Sequence, residues 1–302
     1  MALNLEDKLV VGISSRVLFD LEEENKIFEE EGLEAYSKYQ REHENVPLKP
    51  GTAFPLIKAL HKLNEDGQYL TEIIIMSKNS ADTSLRIFNS IEHYGLQISR
   101  AALVSGGAIA PYLESFHTDL FLSANEEDVQ EAINANVAAG LICSHEDLPI
   151  DPDNDISQIR IAFDGDAVIF SDESERIYQE HGLQAFAEHE QENANKLLPE
   201  GPFAKFLKTI SVIQSKYPKD NVPIRTALVT ARNAPAHERV IRTLRAWNVR
   251  IDEAFFLGGI KKSEVLKAFG AHIFFDDQSV HTEPASKYVP SAKVPYKQNK
   301  KE

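Results

Sequence analysis

The sequence predicts an α/β fold: a mostly parallel, doubly wound sheet with helices on both faces, laid down twice along the chain. Two observations predict it. Short continuous apolar runs alternate with helical stretches from end to end, and a strand apolar on both faces belongs in the buried sheet of such a fold. The same succession of runs, helices and turns then recurs about 150 residues later.

The first copy opens with the apolar run Leu9 to Ile13, the second with Ile159 to Phe163. An acidic helical stretch follows each, Glu22 to Glu44 and Glu173 to Asn193. Then come a Pro/Gly turn (Pro47 to Gly51; Pro199 to Pro202) and another helix. Three further apolar runs complete each copy: Glu72 to Met76, Ala101 to Val104 and Leu120 to Leu122, then Thr226 to Val229, Ala254 to Leu257 and Ile273 to Phe275. Single residues repeat as well. Gly32-Leu33-Glu34-Ala35-Tyr36 matches Gly182-Leu183-Gln184-Ala185-Phe186, and Gly51 matches Gly201, at an offset of 150. Arg86-Ile87 matches Arg239-Val240, and Tyr94 matches Trp247, at an offset of 153. The domain division expected from this is 1–150 and 151–302. The Lys-rich tail after Ser286 has no periodicity and is expected to be partly loose.

Composition narrows the function. The 302 residues are 42% hydrophobic and 26% charged, as in ordinary globular chains. A net charge of −15 repels nucleic-acid polymers and anionic lipid, so neither is an expected partner. A small anionic substrate is still compatible, because a few local cations outweigh the global field. One cysteine, Cys143, excludes an internal disulfide framework and reads as a buried apolar thiol. The N-terminus lacks the apolar stretch of a signal peptide, and no run approaches a membrane span, so a reducing cytoplasm is the expected compartment.

The chemistry lies in the second copy, just after its apolar runs. Asp164-Gly165-Asp166 follows the first, Thr230-Ala231-Arg232 the second, Gly258-Gly259-Ile260-Lys261-Lys262 the third and Asp276-Asp277 the fourth. In a parallel sheet the carboxyl ends of the strands lie side by side, where such folds bind ligands. Carboxylates, a hydroxyl and a cation would meet there, which suits phosphoryl transfer. A carboxylate can attack phosphorus, but only when charge on the phosphoryl group is neutralised by Mg²⁺ on oxygen ligands, with lysine helping. A second carboxylate two residues on can protonate the leaving oxygen and later activate water. Gly165, between the two, lets the backbone approach a phosphate closely. Ala231, Arg232 and Lys261 join Gly165 as candidate substrate contacts, with Arg232 facing either a substrate phosphate or a carboxylate of the protein.

Asp164-Gly165-Asp166-Ala167-Val168 resembles the first motif of the haloacid-dehalogenase superfamily, and Thr230, the Lys261/Lys262 pair and Asp276-Asp277 resemble its second, third and fourth, in order. The wider context is similar to the cytosolic 5′-nucleotidase I family, in SSRVLFDLEEEN, HENVPLKPGTAFP, AFDGDAVIFSDESE, LVTAR and HIFFDDQ, across nearly the whole chain. The resemblance implies a haloacid-dehalogenase-like sheet with a small helical cap, inserted at about 172–223, and Mg²⁺-dependent hydrolysis of nucleoside 5′-monophosphates such as AMP and deoxynucleotides. It implies Asp164 as nucleophile, Asp166 as general acid/base, Thr230 as a phosphate ligand and Lys262, rather than Lys261, as the phosphate-side cation. Asp164, Asp276, Asp277 and the backbone carbonyl of Asp166 would serve the metal, with one of Asp276 and Asp277 acting directly and the other through water or lysine. It also implies a homo-oligomer.

The aligned positions of the first copy lack this chemistry. Ser14-Ser15-Arg16 stands near the first motif, Ser77 opposite Thr230, Ala108-Ile109 opposite the lysines and Ser123-Ala124 opposite the aspartates. That copy is expected to be degenerate. It would pack on the active copy, complete the nucleoside pocket or hold a regulatory nucleotide, with Arg16, Asn79 and Gly106-Gly107 lining its cleft. Two other functions compete: the same chemistry on another phosphate ester such as a phosphosugar, and a nucleotide-binding protein without turnover. His43 and His189 read as surface helix residues, and Tyr36, Phe186, Phe203 and Phe206 as core.

Overall fold

This computed structural model describes residues 5, 7–65, 67–143, 148, 150–233 and 236–298. The chain begins with β1 (Leu9–Ile13), α1 (Ser15–Leu18), β2 (Phe19–Asp20), α2 (Glu22–Glu31), α3 (Leu33–Glu42), β3 (Lys49–Pro50) and α4 (Phe54–His61). It continues through β4 (Thr71–Ser77), α5 (Leu85–His93), β5 (Arg100–Leu103), α6 (Ala110–Ser115), β6 (Leu120–Ser123), α7 (Glu126–Asn134) and β7 (Ala138–Cys143). The second series is β8 (Ile159–Phe163), α8 (Glu173–Glu192), α9 (Ala204–Ser215), β9 (Ile224–Thr230), α10 (His237–Ala246) and β10 (Glu253–Phe256). It ends with α11 (Lys262–Phe269), β11 (Ile273–Asp276), α12 (Ser279–Ser286) and β12 (Ser291–Lys293).

Ten strands form one sheet in the order β10-β9-β8-β11-β12-β7-β6-β1-β4-β5. Every pairing is parallel except β12 with β7, where the two series meet. Read outward from that seam, β7, β6, β1, β4 and β5 stand in the order of β12, β11, β8, β9 and β10. The α/β class and the parallel sheet follow the sequence reading. The seam strands do not: β7 is Ala-Ala-Gly-Leu-Ile-Cys and β12 is only Ser-Ala-Lys, too small or too short to register as apolar runs. The tail after Ser286 is likewise not loose through Gln298, because β12 lies inside the sheet with Ser291 and Ala292 fully buried.

Burial explains the local choices. All residues of β1 and β4 are buried, as a sheet covered on both faces requires. One apolar cluster runs through both series, and the crossover helices bind them together, α4 touching β8 and α9 touching β1. Residues α5 and α10 bury are related one for one: Arg86, Ile87, Ser90 and Ile91 against Arg239, Val240, Thr243 and Leu244. Their polar bonds recur too. Arg86 Nε donates to Val46 O at 2.9 Å and Arg239 Nε to Lys196 O at 3.0 Å. Ser90 Oγ accepts the Leu48 N–H at 3.0 Å and Thr243 Oγ1 the Leu198 N–H at 2.9 Å. Gly51 and Gly201 occupy matching close approaches, where a Cβ would meet Val17 O at 2.5 Å and Phe170 O at 2.2 Å.

The acidic stretch read as one helix in the first series is two, α2 and α3, broken at Gly32 (φ 87°); Gly182 (φ 80°) breaks α8 at the same place. Within 172–223, α8 reaches the strand ends through Glu190 to Arg232 and Glu175 to Gln278. The α9 helix packs into the core, with Phe206 against Phe163 and Phe275.

Two histidines, His61 buried and His272 half-buried, are held neutral. His272 Nδ1 accepts the Arg160 N–H at 2.9 Å, so its proton sits on Nε2, and His61 Nε2 is buried without a partner among the described residues. Burial pushes both pKa values down to about 4. Unfolded histidines titrate near about 6.5 and so take up protons first as pH falls. Stability from this source is complete above pH ~6.5 and drains away as pH falls toward about 4. Thermal melts over this window should show the midpoint dropping with pH, and a His61→Gln/His272→Gln protein should show a shallower slope.

Candidate active site

Four strand ends of the second series build the site. At the end of β8, Asp164 N–H donates to Phe275 O at 2.8 Å, which presses the carboxylate against β11. The next residues form a single wide turn, closed by Phe170 N–H to Gly165 O at 2.9 Å, with Ala167 in the left-handed region (φ 60°). Phe170 packs on Trp247 as Phe19 packs on Tyr94, but one residue later than the offset of 150. The second series thus carries one extra residue between Asp164 and Phe170, and the turn with its strained Ala167 houses it.

Lys262 opens α11 and is buried. Its Nζ lies 2.8 Å from Asp164 Oδ1 and 2.6 Å from Asp276 Oδ2. Asp276 ends β11, and its Oδ1 accepts the Gln278 N–H at 2.9 Å. Asp277 accepts the Tyr296 O–H on Oδ2, while its Oδ1 is buried with no partner among the described residues. Thr230 ends β9 and is buried, with Oγ1 accepting the Arg232 N–H at 3.2 Å.

Arg232 follows Thr230 by two residues and is buried. Its buried guanidinium grips Asp166 through Nε to Oδ2 at 2.7 Å and Nη2 to Oδ1 at 2.6 Å. Nη1 reaches Glu190 Oε2 of α8 at 2.5 Å, and the guanidinium lies 5.3 Å from the Phe186 ring centre. Glu190 also binds Arg239 at 2.9 Å and Ser174 at 2.8 Å. Burial opposes its charge, but Arg232, Ser174 and Arg239 pull its pKa below the usual glutamate range.

Asp164, Asp166, Thr230, Lys262, Asp276 and Asp277 thus come to one place, with Gly165 buried in the turn. Lys261 and Ala231, their chain neighbours, are exposed. Charge is crowded here. Burial raises the Asp164 pKa to about 6 against the pull of Lys262, with Asp276 and Asp166 adding to the rise. Burial, then the Asp164 charge, raise Asp277 to about 8. Asp276 is raised as well, by burial against Lys262. Burial works against the Lys262 ammonium, yet Asp164 and Asp276 hold its pKa above the ordinary lysine value. Oxygens of Asp164, Asp276 and Asp277 lie within 4.8 Å of one another. Three hard oxygen donors in one small volume, one of them without a partner among the described residues, fit a divalent cation of the Mg²⁺ kind.

A family model described as 5′-nucleotidase matches residues 1–301. The chain belongs to the 5′-nucleotidase family. Cytosolic 5′-nucleotidase 1B of Homo sapiens is 41% identical to it over 298 residues, taking in 93% of this chain and 48% of that protein. The chain therefore spans about half the length of the curated relative it matches. A solved histidinol dehydrogenase from Elizabethkingia anophelis, 10% identical and covering 80% of this chain and 49% of that one, superposes with a TM-score of only 0.22, which supports no argument. No helix among the described residues is long and apolar enough to cross a membrane.

Three residues of this 5′-nucleotidase-family site escaped the sequence reading. Glu190 sits in a run of acidic helix that looked uniformly solvated. Its one sequence signal is that Gln40, 150 residues earlier, also bonds the matching arginine, at 3.4 Å from Arg86. Glu175 of α8 is half-buried and accepts from Gln278 Nε2 at 3.3 Å, with burial raising its pKa. Tyr296 lies in the tail. His189, read as a surface residue, stands between Glu173 and Glu190 at 3.5 and 3.4 Å. Removing the Arg232 guanidinium takes its arginine partner from half-buried Asp166 and one of two arginines from buried Glu190. Arg232→Met should cost about 3–5 kcal/mol in chemical denaturation, and Arg232→Lys should recover only part because one ammonium cannot grip both partners.

Proposed function

We propose that this chain hydrolyses nucleoside 5′-monophosphates, AMP or deoxynucleoside monophosphates among them, to nucleoside and phosphate, with Mg²⁺. The observation that carries the reading is Asp164 beside Lys262, Asp276 and Asp277 at adjoining strand ends. Family membership and the name of the human relative support the substrate class. Asp164 attacks phosphorus in line, the P–O5′ bond breaks, and O5′ takes its electron pair and a proton from Asp166. Water then attacks the aspartyl phosphate, gives its proton to Asp166 and releases orthophosphate, restoring Asp164. Asp164, Asp276, Asp277 and the Asp166 carbonyl would hold Mg²⁺, which would supply neutralising charge to the phosphoryl group. Lys262 adds a fixed positive charge beside the nucleophile. Thr230, whose O–H has no acceptor among the described residues, donates to a phosphoryl oxygen. Asp166 must release at least one guanidinium bond to carry its proton, and Glu190 keeps Arg232 in place when it does. A cavity of about 470 Å³ beside the turn, lined by Ala167, Ser171, Arg176, Lys205 and Tyr296 among others, offers room for the leaving nucleoside.

We read the sheet as haloacid-dehalogenase-like and duplicated, with 1–150 the degenerate copy, 151–302 the catalytic one and α8 the cap. The mirrored strand order and the matching bonds of Arg86 and Arg239 support this. The degenerate copy retains a cleft at its own strand ends, about 450 Å³, lined by Ser14, Arg16, Tyr36, Ser77, Asn79 and Gly106 among others. Ser14 Oγ and Arg16 Nε are buried there without partners among the described residues. Ser14, Arg16, Ser123 and Ala124 stand in place of the four aspartates, so an anionic nucleotide can enter without a metal, as a regulatory ligand.

Phosphate release from a panel of nucleoside 5′-monophosphates and phosphosugars tests the main reading. AMP or a deoxynucleotide should turn over with Mg²⁺ and not in EDTA, and Asp164→Asn should lose at least about 10³-fold. Preference for a phosphosugar would keep the mechanism and replace the substrate. AMP binding without any turnover would make the chain a nucleotide-binding protein. For the second cleft, calorimetry with AMP in EDTA should show binding that Arg16→Glu weakens about 10-fold or more, while Asp164→Asn leaves it intact.

A further inference from the structure

We propose that Tyr296 is a positioning residue for the Asp277 carboxylate, and that the N-terminal half of the chain, through α7, holds Tyr296 in place. The inference rests on the reading of Asp277 as a metal ligand.

The path of the tail is the first ground. Val294 N–H, just past β12, donates to Asp276 O at 2.9 Å, the last backbone bond the tail makes to the strand carrying the aspartates. From there the chain runs onto α7, which belongs to the other half. Gln130 Nε2 donates to Tyr296 O at 2.9 Å, and the Gln298 N–H donates to Asn134 Oδ1 at 2.9 Å. Gln298 Nε2 donates to Gln130 Oε1 at 3.2 Å, and Lys297 Nζ to Asn136 Oδ1 at 2.6 Å. Between these anchors the Tyr296 side chain turns back to the active site, and its phenol O–H donates to Asp277 Oδ2.

The state of Asp277 is the second ground. The terminal torsion of an aspartate is soft, so an unrestrained carboxylate swings. Pinning Oδ2 sets where Oδ1 points, and Oδ1 is the buried atom without a partner, beside Asp164 and Asp276. The kind of donor matters as well. Lys262 holds Asp276 with a full positive charge, which competes with a metal for that carboxylate. A phenol is neutral, so it orients Asp277 and leaves its charge to a cation. In the first half Ala124 stands opposite Asp277, so there is no carboxylate for such a strap to serve.

Loss of an outer hydrogen bond to a metal ligand typically weakens metal binding about 10–100-fold. The test is Mn²⁺ titration of the apo-protein, followed by calorimetry and electron paramagnetic resonance without substrate. It is joined to thermal melts and to the Mg²⁺ dependence of AMP hydrolysis. Tyr296→Phe should raise the Mn²⁺ Kd about 10-fold or more and raise the Mg²⁺ concentration for half-activation in parallel, with kcat at saturating Mg²⁺ changed far less. Gln130→Ala/Asn134→Ala, which touches nothing in the site, should shift the Kd in the same direction by a smaller factor. A purely structural role would lower the melting midpoint without moving the Kd. Unchanged Mn²⁺ affinity in folded Tyr296→Phe overturns the proposal. If that variant does not fold, unchanged affinity in the Gln130/Asn134 variant does so. If the unaltered protein binds no Mn²⁺, or Asp277→Asn binds it as tightly, the metal-ligand reading itself falls and this inference with it.

Discussion

Negative charge at the ends of β8 and β11 is the constraint on which the rest of the structure depends. Asp164, Asp166, Asp276, Asp277, Glu175 and Glu190 gather there, against Lys262, Arg232 and Arg239. Three cations cannot neutralise six carboxylates, and burial removes the water that would otherwise screen them. The site is therefore divided. Lys262 binds the Asp164–Asp276 pair, Arg232 and Arg239 bind the group formed by Asp166 and Glu190, and among the described residues Asp277 receives only a neutral phenol. What is left over is an excess of oxygen donors in one small volume, the condition that suits a hard divalent cation.

The arginine group also explains how α8 is held. This helix buries little apolar surface beyond its ends; Ser174 and Glu190 are its buried residues. Its seat over the strand ends depends on Glu190 reaching two arginines from the core. The first half solves the same problem differently, with Glu24 of α2 on Arg86 at 2.6 Å and Gln40 of α3 nearby. One acidic residue per half anchors the covering helix to the same arginine position, from opposite ends of the covering segment.

Much of this was legible in the sequence, and the reasons for the remainder are physical. Strands covered on both faces announce themselves as apolar runs, β8 and β11 in the second series as much as β1 and β4 in the first, and the aspartates at the ends of β8 and β11 could be placed by that alone. Arg232 could not be decided, because its partner Glu190 is 42 residues away on a helix whose charges all look alike. Tyr296 was hidden because β12 is three residues long and owes its place to neighbours on both sides, not to its own composition. The extra residue after Asp164 was equally silent, since its only trace is a one-residue change in spacing between Phe19 and Phe170.

The antiparallel seam has a consequence for how the molecule keeps itself from sticking to others. An open parallel sheet ends in strands whose N–H and C=O groups face outward and invite another chain to pair. Here β7 and β12 satisfy each other, Ser291 opposite Cys143 and Lys293 opposite Leu141. Like edges paired antiparallel are what a two-fold axis creates between identical subunits, so the single chain carries within itself the contact that a pair of shorter chains would have to make by collision. Cut apart between residues 143 and 159, each half would bare one of these edges, and β7, apolar and longer, would be the more adhesive of the two. The linker thus keeps two templates for aggregation permanently occupied with one another.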